Sequence, residues 1–251
     1  MMQKVPTCCV FGKTMGPEES INAVRSLQHH LVYDLGAEPL DRWTVEVTYK
    51  LKQKKKKAMR NEMKFGINVA APFMGMKRDQ RDMESEYPFA KQYCIRRSDR
   101  SSRVLVVQEM PEQLFKATCS GNSDQKVKIE DVLEGPEGME TTLAANTGLV
   151  ARLKATIDGQ AYQFGDFLIR VGSCKKGAVY RGVGLEVEYR PCSKIVDGVA
   201  MIEALLPQIE EAEAFVRCSD LLDSAVFGTD SEFSVQHTAL QTIDLFNTVF
   251  R

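Results

Sequence analysis

Histidine is scarce in this chain of 251 residues, which has only His29, His30 and His237. They do not supply a zinc-finger spacing, and no carboxylate–histidine constellation surrounds them that would suit a general base. The seven cysteines, at 8, 9, 94, 119, 174, 192 and 218, are odd in number and form no CxxC pair, so neither a disulfide framework nor a cysteine metal site is indicated. Adjacent Cys8 and Cys9 point to opposite faces of a strand and suit a core better than one metal. No uncharged apolar run reaches the roughly 18 residues that span a bilayer. Val5–Phe11 is too short for a signal peptide and Lys13 follows too soon. The expectation is a soluble protein of a reducing compartment, cytosolic or nuclear, without membrane contact. Charge of one sign is also missing in sum. The 33 basic and 34 acidic residues leave −1, which argues against a dedicated nucleic-acid module.

That neutrality is uneven. Residues 42–103 carry 17 basic side chains against 7 acidic, and residues 104–251 carry 13 against 22. The basic excess centres on a variable segment at about 50–64, where Lys54, Lys55, Lys56 and Lys57 could contact phosphate backbone, an acidic partner or an import receptor, or simply form a solvated loop. With 43% hydrophobic residues the chain can bury a substantial core, and one domain over 1–251 is expected.

Periodicity supplies the elements. A short strand is read at Val5–Phe11. A helix follows from Pro17, with Ile21, Val24, Leu27, Leu31 and Leu35 on one face and Gly36 at its stop. Trp43–Leu51 alternates apolar and polar residues as a half-buried strand does, with a returning strand at Lys64–Ala71. Further strands are read at Tyr87–Arg96 and Arg103–Met110, and a short helix at Pro111–Thr118. Residues 121–148, rich in glycine, read as an insertion with a strand at Val127–Val132. Asp158-Gly159 reads as the turn of a hairpin joining Ala151–Ile157 to Tyr162–Val171, and Val183–Tyr189 as another alternating strand. Asp197 caps a helix that Pro207 kinks or restarts toward Arg217. A final helix from about Ser231 has a broad apolar face. That width suits core packing or, through Phe233, Leu240, Ile243 and Phe246, docking against a partner subunit. The order predicts an α+β fold on an antiparallel sheet, helices near both chain ends.

Two motifs could carry chemistry. Gly12-Lys13-Thr14 ends like a phosphate-binding loop, but Thr7 stands where its first glycine belongs, and a strand-to-helix turn explains the composition. Glu186-x-Glu188-x-Arg190 would place two carboxylates and a guanidinium on one strand face, with Glu46-x-Thr48-x-Lys50 a weaker echo. In a closed barrel such a face could serve a metal-dependent triphosphate-tunnel hydrolase. It also fits the wet face of a half-buried sheet.

Several segments, in order, resemble the family of subunit 20 of the Mediator complex of RNA polymerase II transcription. They are Thr7-Cys8-Cys9-Val10, Leu35-Gly36-Ala37-Glu38, Ser85–Pro88, Tyr162–Gly172, Arg181–Cys192, Ala225–Gly228 and Asp244–Asn247. The block from 162 to 192 is the most specific. The resemblance implies an antiparallel β-barrel of about eight strands flanked by helices, including a C-terminal helix. It also implies a nuclear, non-catalytic coactivator subunit of the head module, without cofactor. Its partners would be subunit 18, as heterodimer, and the C-terminal segment of subunit 8, with polymerase contacted indirectly. The paired acids at 186 and 188 belong to that family's pattern, whereas about 50–60, 75–84 and 121–148 depart from it.

Overall fold

The computed structural model describes residues 5–52, 91–109, 130–210, 212–218 and 232–250. The nine described strands form one antiparallel sheet. In chain order they are β1 (Thr7–Thr14), β2 (Glu38–Lys52), β3 (Lys91–Arg97), β4 (Arg103–Glu109), β5 (Glu130–Pro136), β6 (Leu149–Phe164), β7 (Phe167–Lys176), β8 (Val179–Tyr189) and β9 (Val216–Arg217). Their order across the sheet is β5-β4-β3-β2-β6-β7-β8-β1-β9. The helices are α1 (Pro17–His29), α2 (Met139–Thr147), α3 (Ile195–Leu205) and α4 (Val235–Phe250).

Alternation along the strands separates two cores. On one face Val10, Trp43, Val45, Val47, Tyr93, Ile95, Leu105 and Val107 pack with Leu240, Ile243, Leu245 and Phe246 of α4. On the other face Cys9, Phe11, Ile169, Val171, Val183, Leu185 and Val187 pack beneath Val24 and Leu27 of α1 and Ile202 and Leu205 of α3. The first face is concave. Helix α4 touches β1 and β8 on one side and β4 on the other, and Phe246 lies 6.3 Å from Tyr49 and 5.9 Å from Tyr93, ring centre to ring centre. A flat sheet could not reach one helix from strands so far apart in its order. The sheet therefore curls around α4, and among the described residues it stays open, its ends being β5 and the two-residue β9. The expected antiparallel α+β architecture with a C-terminal helix is present, with nine strands and without barrel closure.

Helix α4 also completes the edge of β1. The Gln241 side chain accepts from the Val10 N–H (2.7 Å) and donates to the Cys8 carbonyl (3.1 Å). Since β9 pairs only with Phe11 and Gly12, this carboxamide does what the next strand residue would do. It satisfies a buried donor and acceptor that would otherwise be orphaned.

The elements differ from expectation at instructive places. Asp158-Gly159 is not a turn: β6 runs straight through it, and the hairpin closes at Gly165, whose φ of 54° suits glycine. Gly159 is needed because β7 crosses closely, and a Cβ there would lie 1.9 Å from the Val171 carbonyl oxygen. Asp158 accepts from Arg42 and Lys175 at 2.9 and 3.0 Å, so its polar side chain serves cross-strand ion pairs. The helix expected to run on to Arg217 ends at Leu205. Short 3₁₀ turns at Leu206–Gln208 and Ala212–Ala214 follow, then β9. Within 121–148, Glu130–Pro136 pairs with β4 along its whole length and Met139–Thr147 is helical, so the strand expected at Val127–Val132 lies a few residues later. The elements expected at 64–71 and 111–118 lie outside the described residues.

Candidate functional site

The charged residues picked out on β8 sit in the interior of the curl. Glu186 and Glu188 alternate with Leu185 and Val187, which belong to the outer core, and so face inward beside Cys8. Glu186 is 2% exposed. Arg97, at the end of β3, donates to both its oxygens at 2.8 and 2.7 Å. Arg170, from β7, donates to Glu186 and reaches Glu188 at 2.9 Å. Asp99, just after β3, accepts from Arg97 at 3.0 and 2.9 Å and from Arg170 at 3.1 Å. Three carboxylates and two guanidiniums thus form one connected network.

Three strands lie between β3 and β8 in the sheet. Laid flat, the two backbones would be about 19 Å apart at about 4.8 Å per step, further than an arginine and a glutamate can bridge. The Arg97–Glu186 pair therefore exists only because the sheet curls, and it ties the two limbs of the curl together.

Burial alone would raise the carboxyl of Glu186, but Arg97 and Arg170 more than offset it and hold the group below its ordinary range. Asp99 is likewise lowered against the pull of burial by Arg97 and Arg170. Cys8 is pushed well above the ordinary thiol range by burial and by the negative charge of Glu186 and Glu188, so it is an inert core thiol.

This geometry does not favour the triphosphate-tunnel reading. Glu186 accepts guanidinium bonds at both oxygens, and Glu188 pairs with Arg170 through one. Arg190 lies beyond the end of β8 and is exposed, its backbone N–H donating to the Asp166 carbonyl. Glu46 and Thr48 face the other side of the sheet from Glu186, where Glu46 pairs with Lys154 at 2.9 Å. Among the described residues no group of three or more His, Cys, Asp or Glu side chains could hold a metal ion. Gly12-Lys13-Thr14 is strand, not loop: Gly12 pairs with Gly184 and Val216, and a Cβ on it would meet Leu245 at 2.3 Å.

A cavity of about 190 Å³ lies on the opposite face, lined by Glu46, Thr48, Lys50, Cys94, Arg96 and Glu140. Lys50 donates to the Glu140 carbonyl at 3.3 Å and Arg96 pairs with the Glu140 carboxylate.

The four side chains considered for partner docking, Phe233, Leu240, Ile243 and Phe246, are each at most 5% exposed and belong to the core inside the curl. The chain itself buries the apolar width of its last helix. Lys54, Lys55, Lys56 and Lys57 lie outside the described residues. Arg97, Asp99 and Arg170 are not among the expected site residues. Arg170 has a legible signal, a charge at an inward position of the apolar run Phe167-Leu168-Ile169-Arg170-Val171.

Fold and site together define an α+β protein whose curled antiparallel sheet grips its own C-terminal helix and whose interior charges pair with one another. The family model for the TATA-binding related factor of subunit 20 of the Mediator complex matches residues 5–247, and the chain belongs to that family. It is similar to the Mediator of RNA polymerase II transcription subunit 20 of Gallus gallus, with 34% identity over 93 residues, 36% of this chain and 41% of the chicken protein. The human protein of that name is 32% identical over a stretch of the same length, again 41% of its chain. The match thus spans less than half of these relatives. Among solved structures, a chain of the Schizosaccharomyces pombe Mediator head module superposes with a TM-score of 0.40 at 12% identity, covering 84% of this chain and 98% of that one.

Proposed function

We propose that this chain is a non-catalytic subunit of the Mediator head module that scaffolds regulated RNA polymerase II transcription in the nucleus by binding neighbouring subunits. Family membership over residues 5–247 supports the reading. The observation that carries it on the physical side is the guanidinium–carboxylate network. The side chains best suited to chemistry are committed to holding the sheet in its curl, which leaves binding as the work of the outer surfaces. Subunit 18 is the proposed heterodimer partner, the C-terminal segment of subunit 8 the proposed tether, and the polymerase machinery an indirect partner. The basic segment at 50–64 is a proposed contact for an acidic partner surface.

The test is affinity capture of the full-length chain from nuclei of its own source, with the recovered proteins identified by mass spectrometry. Other head-module subunits, subunit 18 foremost, should be recovered in near-stoichiometric amounts. Recovery of none of them would overturn the proposal.

A further inference from the structure

Helix α3 is apolar on both sides. Its inner face, Ile195, Gly198, Ile202 and Leu205, is buried, and Gly198 sits so close to β1 that a Cβ would lie 2.3 Å from the Thr7 hydroxyl. Its outer face should then be polar, as on any surface helix. Instead Val196, Ala200 and Ala204, at i, i+4 and i+8, form an exposed stripe with Met201 beside it. Val196 is 63% exposed and Met201 42%. Alanines at two of these positions let another backbone approach closely.

The charges around the stripe are mostly acidic, with Lys194 at the N-cap of α3 the exposed exception. Between Ile195 and Val216 the sequence has Asp197, Glu203, Glu210, Glu211 and Glu213 and no lysine or arginine. Asp197 flanks the first turn of α3 and Glu203, with its side chain 56% exposed, flanks the last. At the far end His30 gathers Asp34 at 2.9 Å and Glu210 at 3.9 Å, both more than half exposed, while its other ring nitrogen bonds the Gln208 carbonyl. Arg217, which follows this acidic stretch in β9, is taken by Glu203 at 2.8 Å.

We propose that the outer face of α3 is a docking surface for an amphipathic helical segment of a neighbouring subunit, its apolar residues laid on Val196, Ala200, Met201 and Ala204 and its flanking lysines or arginines over the acidic rim. The helix-in-groove mode supplies affinity through the stripe, and the acids supply orientation and salt dependence. The proposal rests on the scaffold reading above and adds the surface and the chemistry of one partner.

The experiment uses the intact assembly captured through the full chain. With Met201→p-benzoylphenylalanine, illumination should cross-link the chain to one segment of another subunit with apolar residues at three- and four-residue spacing flanked by Lys or Arg. Cross-links only to a second copy, only to this chain's own Lys54–Lys57 stretch, or to a segment without basic flanks would overturn it, as would none at all. Separately, Val196→Glu with Met201→Glu should lower recovery of that subunit at least about tenfold, the loss of a single strong contact, with the melting temperature unchanged because both side chains are exposed. Undiminished recovery by the double variant, with the wild type still recovering head subunits, overturns the surface alone. A wild-type chain that recovers no subunit overturns both readings.

Discussion

Replacing Glu186 by glutamine keeps the shape of the side chain and removes the charge on which two buried guanidiniums depend. Glu186 receives two hydrogen bonds from Arg97 and one from Arg170, and all three residues are at most 7% exposed. Removing one partner of a buried ion pair typically costs about 3–5 kcal/mol, because the remaining charge stays desolvated. Glutamine keeps one acceptor oxygen, which places the expectation toward the lower end. At roughly 2–4 °C per kcal/mol for a chain of this size, the melting temperature should fall by about 6–15 °C. Urea unfolding gives the free energy directly, and Trp43 is a built-in reporter: it is the sole tryptophan and its ring lies 6.0 Å from the Arg97 guanidinium. The pH dependence gives a second reading. Because the folded carboxyls of Glu186 and Asp99 are depressed, their contribution is present above the ordinary carboxylate pKa of about 4 and is lost as pH falls through the lower folded values. Glu186→Gln should therefore flatten the acid limb of the stability curve as well as lower its plateau. A variant within about 0.5 kcal/mol of wild type, with the acid limb unchanged, would refute the view that this network holds the curl.

Other perturbations separate the parts of the account. Gln241→Leu strands the Val10 N–H and the Cys8 carbonyl, at about 1–3 kcal/mol for each buried group left unpaired, and the Val10 amide should exchange with deuterium markedly faster; unchanged protection there would contradict the role given to the carboxamide. Gly159→Ala forces a methyl against the Val171 carbonyl of β7 and should cost more than about 1 kcal/mol, seen as a lowered urea midpoint. His30, raised above its ordinary value first by its bond to the Gln208 carbonyl and then by Asp34, contributes stability that is full below about pH 6.5 and fades as pH rises through the folded value. The difference in melting temperature between wild type and His30→Ala should narrow from pH 6 to pH 8. Among the described cysteines Cys192 should react first with a thiol reagent, since Cys8, Cys9, Cys94, Cys174 and Cys218 are buried and burial pushes Cys9 up to about 11 and Cys218 up to about 12.

The periodic elements were legible in the amino-acid sequence because alternation and helical spacing are local. Trp43, Val45 and Val47 face the core as their period predicts, and α1 carries Val24 and Leu27 inward. What local pattern could not show was contact between distant strands. Asp158-Gly159 looks like a turn until β7 is known to press against Gly159. Arg97 and Glu186 are 89 residues apart and meet only through the curl. The apolar breadth of the last helix was visible, but its cause was not, since a helix wrapped by its own sheet and one docked on a partner have the same composition. Nothing in the local pattern marks Gln241 as the side chain that finishes a strand edge.

The central claim, that the chain works by binding and that its inner carboxylates serve structure, is tested most directly with Glu188→Gln. Glu188 makes a single bond to Arg170 and is the more exposed of the two acids, its side chain 18% accessible, so the fold should survive its neutralisation. Any metal-assisted chemistry on this strand face would lose a ligand. In transcription reconstituted with Mediator assembled around the variant, the account predicts wild-type capture of head subunits and wild-type transcript yield. Loss of transcription with capture and melting temperature unchanged would contradict it.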